Sequence, residues 1–266
     1  MRVKHEAPLI NPDDKLADVL ENIIGSRCRC GIVVSEDRIE GVINLMSIVR
    51  KIALEWIKGR EPHETIERLY VRDVRYQPHI VFEEHVEPVS ALMDMLTHGL
   101  DFVVKMDSDK YTVYTVLDAL NDLVELLRGD HVGSVVSSQS WWVAYPDISV
   151  RDAFLQTSML PTWRLIVIES DGSIRGIFSA TDFLRAILRG ERPYTEPISS
   201  FISTTTPKSV DYDEALVTAV KIMSLHNIYI MPVARGEKGF AGVVLAHDIG
   251  RLAAIRSLQS SSRELR

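Results

Sequence analysis

GIFSATDFLRAI (residues 176–187) and GVVLAHDIGRLAAI (residues 242–255) decide the fold. Each runs from a glycine through apolar residues to a few small or polar ones, then to an aspartate and a stretch with helical periodicity. The aspartates, Asp182 and Asp248, each fall at the seam where a strand gives way to a helix. Ser179 and Asp182 have the spacing of a capping box, worth about 1 kcal/mol to a helix start. The same residues could instead hold a ligand. Both readings stay open for Ser179. In the second stretch Leu245 replaces the hydroxyl residue, so capping explains Asp248 less well. A first-turn acid there still gains from the helix dipole.

Working outward, residues 164–178 (RLIVIESDGSIRGIF) give two β-branched runs around Asp171-Gly172, a hairpin signature of the type I′ kind. A helical pattern precedes them (ISVRDAFLQTSM), and another follows and stops at Gly190, a C-cap glycine. The same order recurs over residues 211–255, 11–52 and 83–127. The chain therefore reads as four copies of a strand–helix–strand–strand–helix unit. The aligned columns are Gly41, Thr112, Gly176 and Gly242, and then Ser47, Asp118, Asp182 and Asp248. One unit of about 60 residues buries too little to stand alone. Sheet-to-sheet pairing of units predicts two modules. They span residues 1–128 (repeats 1 and 2, split near 62) and 129–266 (repeats 3 and 4, split near 192). KGREPHETIERLY and RGERPYTEPISS read as linkers inside the modules.

The 266 residues are 46% apolar, enough for a sizeable core, and carry a net charge of −7, which argues against DNA or RNA as a partner. No apolar run is long enough to span a membrane and the first residues lack a signal-peptide core, so a cytoplasmic protein is expected. Cys28 and Cys30 are expected as buried thiols. They lack the further ligands of a zinc site, and a disulfide is not expected in a cytoplasmic chain. No metal is expected, and no P-loop or Ser/His/Asp order marks an enzyme. Trp141 and Trp142 are expected in packing.

The pattern resembles the CBS domain, the repeat named after cystathionine β-synthase, and the resemblance covers practically the whole chain. It rests on the βαββα order, on lead-ins such as VGSVVSSQSWWVAYPD and ISSFISTTTPKSVDYDEA, on IYIMPVA, and most on the two opening stretches. Repeats 3 and 4 match well. Repeat 2 keeps Thr115 and Asp118 but has Thr112 for the glycine; repeat 1 has Asn44 and Ser47, which puts its ligand role in doubt.

The resemblance implies an α/β fold of four βαββα repeats in two tandem pairs. It also implies a regulatory module that binds an adenosine-containing ligand (AMP, ADP, ATP or S-adenosylmethionine) in the clefts between repeats. Carried over residue by residue, the nucleotide contacts are Thr162, Trp163 and Arg164 with Ser179, Thr181 and Asp182 in repeat 3. Repeat 4 supplies Ile228, Tyr229 and Ile230 with His247 and Asp248, and repeat 2 supplies Thr115 and Asp118. Arg164 and His247 are the side chains placed to meet a phosphate. The run Thr204-Thr205-Thr206-Pro207-Lys208 offers hydroxyls and a cation, or a plain turn. No prosthetic cofactor is called for beyond the regulatory ligand. The implied partners are a regulated protein and either a second copy of the chain, as a homodimer, or the chain itself, as an internally closed disc. The rival reading is a ligand-free scaffold whose acidic seams only cap helices.

Overall fold

The computed structural model describes residues 6–36, 38–76, 81–83, 86–107, 110–202, 207–236 and 239–264. Repeat 1 is built from β1 (Leu9–Ile10), α1 (Leu16–Gly25), β2 (Cys30–Ser35), β3 (Arg38–Asn44) and α2 (Leu45–Ile57). A further helix, α3 (Pro62–Arg68), leads to repeat 2: β4 (Val81–Glu83), α4 (Pro88–His98), β5 (Phe102–Asp107), β6 (Lys110–Thr115) and α5 (Val116–Asp122). Repeat 3 comprises β7 (Val143–Ala144), α6 (Val150–Ser158), β8 (Arg164–Ile168), β9 (Ile174–Ser179) and α7 (Ala180–Leu188). A short helix, α8 (Ile198–Phe201), precedes repeat 4: β10 (Val210–Asp211), α9 (Leu216–His226), β11 (Ile230–Ala234), β12 (Phe240–Leu245) and α10 (Ala246–Glu264).

Each repeat makes one three-stranded sheet, in which the first strand pairs parallel to the second and the second antiparallel to the third. The registers agree: Cys30 faces Asn44, Phe102 faces Thr115, Arg164 faces Ser179 and Ile230 faces Leu245. The aligned sequence columns are therefore structural equivalents. The linker KGREPHETIERLY departs from expectation by forming α3, with Pro62 at a first-turn position where its missing N–H costs nothing. The hairpin at Asp171-Gly172 also departs. Only Gly172 has positive φ (+83°), and its N–H donates to Glu169 C=O at 3.0 Å. This is a type I turn closed by a left-handed glycine, because the register shift between Val167 and Ile168 makes room for the longer loop.

The lead-in of one repeat docks on its sister. Before repeat 3, Val132 and Gly133 donate to Glu214 and Tyr212 carbonyls at 2.9 and 2.8 Å, and Ser137 exchanges two bonds with Val243. In return, the Val150 and Ile198 amides bind Glu196 and Ile148 carbonyls, both at 2.9 Å. Tyr76, ahead of repeat 2, exchanges bonds of 2.8 and 2.9 Å with Val42 of repeat 1. This crossing explains two glycines of the column. A Cβ on Gly41 would sit 2.7 Å from the Tyr76 carbonyl oxygen, and one on Gly242 would sit 2.5 Å from that of Ser137.

The sheets of repeats 1 and 2 share a small core of Ile32 and Val42 with Phe102, Val104 and Val113. The larger core runs through all four repeats. Helices α1 and α2 of repeat 1 pack on α7 and α6 of repeat 3, and α4 and α5 of repeat 2 on α10 and α9 of repeat 4. The repeat 1–3 contact is aromatic: the Trp56 ring lies 5.9 Å from Phe154, 5.8 Å from Phe183 and 5.0 Å from Tyr194. The four repeats thus close on one another within a single chain. Trp142 is buried as expected of a packing residue, whereas Trp141 is exposed.

Cys28 and Cys30 are buried, as expected, but they are bonded to each other rather than free. Arg29 between them has φ +52°, a left-handed bend that turns two near neighbours' sulfurs together instead of leaving them on one strand face.

Candidate functional site

In all four repeats the residue just before a register pair anchors the following helix in the same way. The carbonyls of Arg29, Asp101, Trp163 and Tyr229 accept the N–H of Leu45, Val116, Ala180 and Ala246, each at 2.9 Å. Their side chains point inward and approach one another. The Trp163 and Tyr229 rings lie 5.8 Å apart, and Arg29 and Asp101 are both close enough to Tyr229 to act on it electrostatically.

Between repeats 3 and 4 lies a cavity of about 370 Å³, within the range of small-ligand sites. Strand pairing sets Arg164 beside Ser179 at its wall. Thr181 and Asp182 from the first turn of α7 complete that wall, and Ile228 and His226 come from the end of α9 and the loop behind it. Pro207 and Lys208 enter from the lead-in of repeat 4, and Arg29 reaches across from repeat 1. Thr204, Thr205 and Thr206 lie outside the described residues.

The seam at repeat 3 is not a capping box. Ser179 Oγ accepts the Thr181 N–H at 3.2 Å, and the exposed Asp182 carboxylate takes no hydrogen bond among the described residues. Its neighbours are cations. Burial, with the positive field of Arg185, pulls the Arg29 pKa down, and Asp182 partly offsets this. Burial, and then repulsion from Arg29, does the same to Arg164, again with Asp182 opposing. Both guanidiniums remain charged, since arginine does not deprotonate in proteins. Arg185 is held by Glu21 at 3.1 Å. The cavity is thus a cationic basin with one carboxylate at its rim. Three buried polar atoms of this repeat lack a partner among the described residues: Thr162 Oγ1, Trp163 Nε1 and Thr181 Oγ1. Of these residues, Thr181 lines the cavity.

The other seams are occupied by their own chain. In repeat 2 the Thr115 N–H and Oγ1 donate to Asp118 Oδ2 at 2.8 and 2.7 Å, and the Asp118 N–H returns to Thr115 Oγ1 at 3.2 Å, a complete capping box. In repeat 1 the Ser47 N–H donates to Asn44 Oδ1 at 2.8 Å, and Asn44 Nδ2 to Tyr76 Oη at 3.0 Å. In repeat 4, Asp248 is paired with Arg251 one turn along α10. His247 Nε2 donates to the Leu100 carbonyl at 3.1 Å and lies 3.5 Å from Asp101 Oδ1, so it binds repeat 2. Asp101 sits in that contact with its pKa raised by burial, against the opposing fields of His247 and Arg50.

Of the candidate residues, the structure gathers Arg164, Ser179, Thr181, Asp182 and Ile228 at one cavity. Thr162, Trp163 and Tyr229 are buried close by, and Ile230 is buried in β11 opposite Leu245. Thr115, Asp118, His247 and Asp248 stand elsewhere. Sequence reasoning missed Arg29, Arg185 and His226. The repeat aligns Arg29 with Trp163 and Tyr229, and that alignment is the signal by which it could be found.

Residues 132–189, repeat 3 with its lead-in, match the CBS domain model. Over 110 residues, 41% of this chain, the sequence is 27% identical to the arabinose 5-phosphate isomerase KdsD of Francisella tularensis subsp. tularensis. That match covers 33% of the isomerase, so the chain spans about a third of the length of the curated relative it matches. Two archaeal structures share the fold across nearly the whole chain. A Methanocaldococcus jannaschii protein, described as a candidate homologue of g-AMPK, is 17% identical with a TM-score of 0.79, covering 92% of this chain and 95% of its own. An uncharacterized conserved protein from Pyrococcus horikoshii is 18% identical with a TM-score of 0.60, covering 95% of this chain and 100% of its own. Residues 132–189 of this chain are thus similar to a CBS domain, and the whole chain shares the fold of the two archaeal structures. The topology of its matched repeat is repeated in the other three.

Proposed function

We propose that this protein is a regulatory sensor that binds an adenine nucleotide in the cavity between repeats 3 and 4. The observation that carries the reading is the pairing of one uncommitted carboxylate, Asp182, with a basin of Arg29, Arg164 and Lys208. A ribose diol has two donors for that carboxylate, and a phosphate has the charge that the half-buried guanidiniums lack. The cationic wall favours AMP, ADP or ATP over S-adenosylmethionine, whose sulfonium would be repelled. The description of the Methanocaldococcus protein as a candidate homologue of g-AMPK agrees with this direction.

A ligand in this cavity touches repeats 1, 3 and 4 together. It would therefore favour one packing of the two halves, a population shift that a partner protein can read. Closure of the four repeats within one chain supplies the packing that a dimer of two-repeat modules would otherwise provide. For the N-terminal pair the scaffold reading is favoured, because the Asn44–Ser47 and Thr115–Asp118 seams are consumed in capping. Thermal unfolding with AMP, ADP, ATP, adenosine and S-adenosylmethionine tests the proposal. At about a hundredfold excess over Kd a ligand stabilises by about 2.7 kcal/mol. Nucleotides are expected to raise the midpoint. A shift with S-adenosylmethionine alone, or with none of the five, would refute the nucleotide sensor.

A further inference from the structure

The loop that carries Arg29 into the cavity is cross-linked on both sides of that residue, by the bond between Cys28 and Cys30. The three equivalent residues, Asp101, Trp163 and Tyr229, make the same carbonyl contact to their helices without a positive φ; Arg29 alone adopts one, at +52°. For a non-glycine residue the left-handed region is disfavoured, because Cβ crowds the following carbonyl oxygen. The feature that distinguishes repeat 1 from its sisters is the bridge across this residue. The loop also joins repeats: Arg27 Nη2 donates to the Ser224 carbonyl at 3.1 Å, and Asn227 Nδ2 donates back to the Arg27 carbonyl at 2.6 Å. Ser224 and Asn227 flank His226, which lines the same cavity.

We infer that Cys28–Cys30 is a redox modification site whose state sets the anion affinity of the cavity through Arg29. Oxidised, the bridge holds Arg29 left-handed and its guanidinium at the cavity wall. A dithiol reductant breaks the S–S bond, giving up two electrons and two protons. Two cysteine thiols form, and the reductant leaves as its own disulfide. Arg29 is then free to take the backbone conformation of its three equivalents, and its guanidinium leaves the wall. Both cysteines are buried, so exchange proceeds through local opening of the loop and is slow. The idea depends on the proposed function only in that an anion occupies the cavity.

Calorimetric titration of the full chain with ADP and, separately, with pyrophosphate tests it. The oxidised form and the form reduced with excess dithiothreitol are compared, with the thiol state verified by mass spectrometry. Pyrophosphate affinity is expected to fall at least about fivefold on reduction. Cys28→Ala/Cys30→Ala, checked for native circular dichroism, is expected to match the reduced form. Arg29→Gln is expected to bind equally weakly in both states. Equal pyrophosphate affinity before and after reduction, no pyrophosphate binding in either state, or a redox difference that survives in Arg29→Gln would each overturn the inference. Redox-dependent pyrophosphate binding without ADP binding would sustain it while removing the nucleotide reading.

Discussion

Replacing Asp182 by alanine separates the two roles that its position at a helix start allows. Its carboxylate makes no hydrogen bond to its own helix and is exposed, so its loss is expected to change folding stability by less than about 0.5 kcal/mol. The matched change Asp118→Ala removes an acceptor of two bonds, at 2.8 and 2.7 Å, and is expected to cost about 1 kcal/mol. Ligand binding should run the other way. Hydrogen bonds to a charged group contribute about 1.5–3 kcal/mol. Losing the ribose contact then weakens ADP by roughly 2–3 kcal/mol, or roughly 30- to 150-fold in Kd. Pyrophosphate has no ribose, and removing a negative charge from beside Arg29 and Arg164 leaves its affinity unchanged or higher. Urea denaturation and calorimetric titration on the two variants give all four numbers. Should Asp182→Ala lose as much stability as Asp118→Ala while keeping its ADP affinity, the carboxylate is a structural group and the ribose argument fails. Equal weakening of ADP and pyrophosphate would also refute it.

Trp56→Ala empties the aromatic contact between repeats 1 and 3 and is expected to cost about 3–5 kcal/mol in urea denaturation; a loss below about 1 kcal/mol would show that this face does not hold the halves together. Asp101 gives a pH signature. Burial raises its pKa above that of the unfolded chain, so the neutral carboxyl favours the fold, and this stability is lost as pH rises through the folded value. Mild acidification into the range above ordinary carboxylates should therefore raise the thermal midpoint. Asp101→Asn should raise it at neutral pH and flatten that part of the profile, and a lowered midpoint in Asp101→Asn would show instead that the pairing with His247 dominates.

The repeat was legible in the sequence because its signals are local. Periodicity placed α1, α6 and α9, and the glycine and aspartate columns fell on equivalent strand and helix positions. Gly41 and Gly242 stood out for a reason the sequence did not show, namely that a sister repeat's lead-in passes within van der Waals distance of them. Asp182 and Asp118 occupy the same column and follow a hydroxyl residue at the same spacing, yet one is uncommitted and the other is locked in a capping box. Local spacing permits both outcomes: in repeat 3 the Ser179 hydroxyl takes the Thr181 N–H instead and Asp182 faces cations, whereas in repeat 2 Thr115 and Asp118 bind each other.

By itself the sequence determined the unit, its fourfold repetition and the strand-to-helix seam at which a ligand carboxylate can stand. Only the tertiary structure decided which seams remain available, and that Arg29 from repeat 1 joins Arg164 and Lys208 across a cavity of repeats 3 and 4. Secondary structure follows from neighbours a few residues apart, and those are written in order along the chain. Charge convergence depends on which helices pack together across more than a hundred residues. Arg29 meets Asp182 because α1 of repeat 1 lies against α7 of repeat 3.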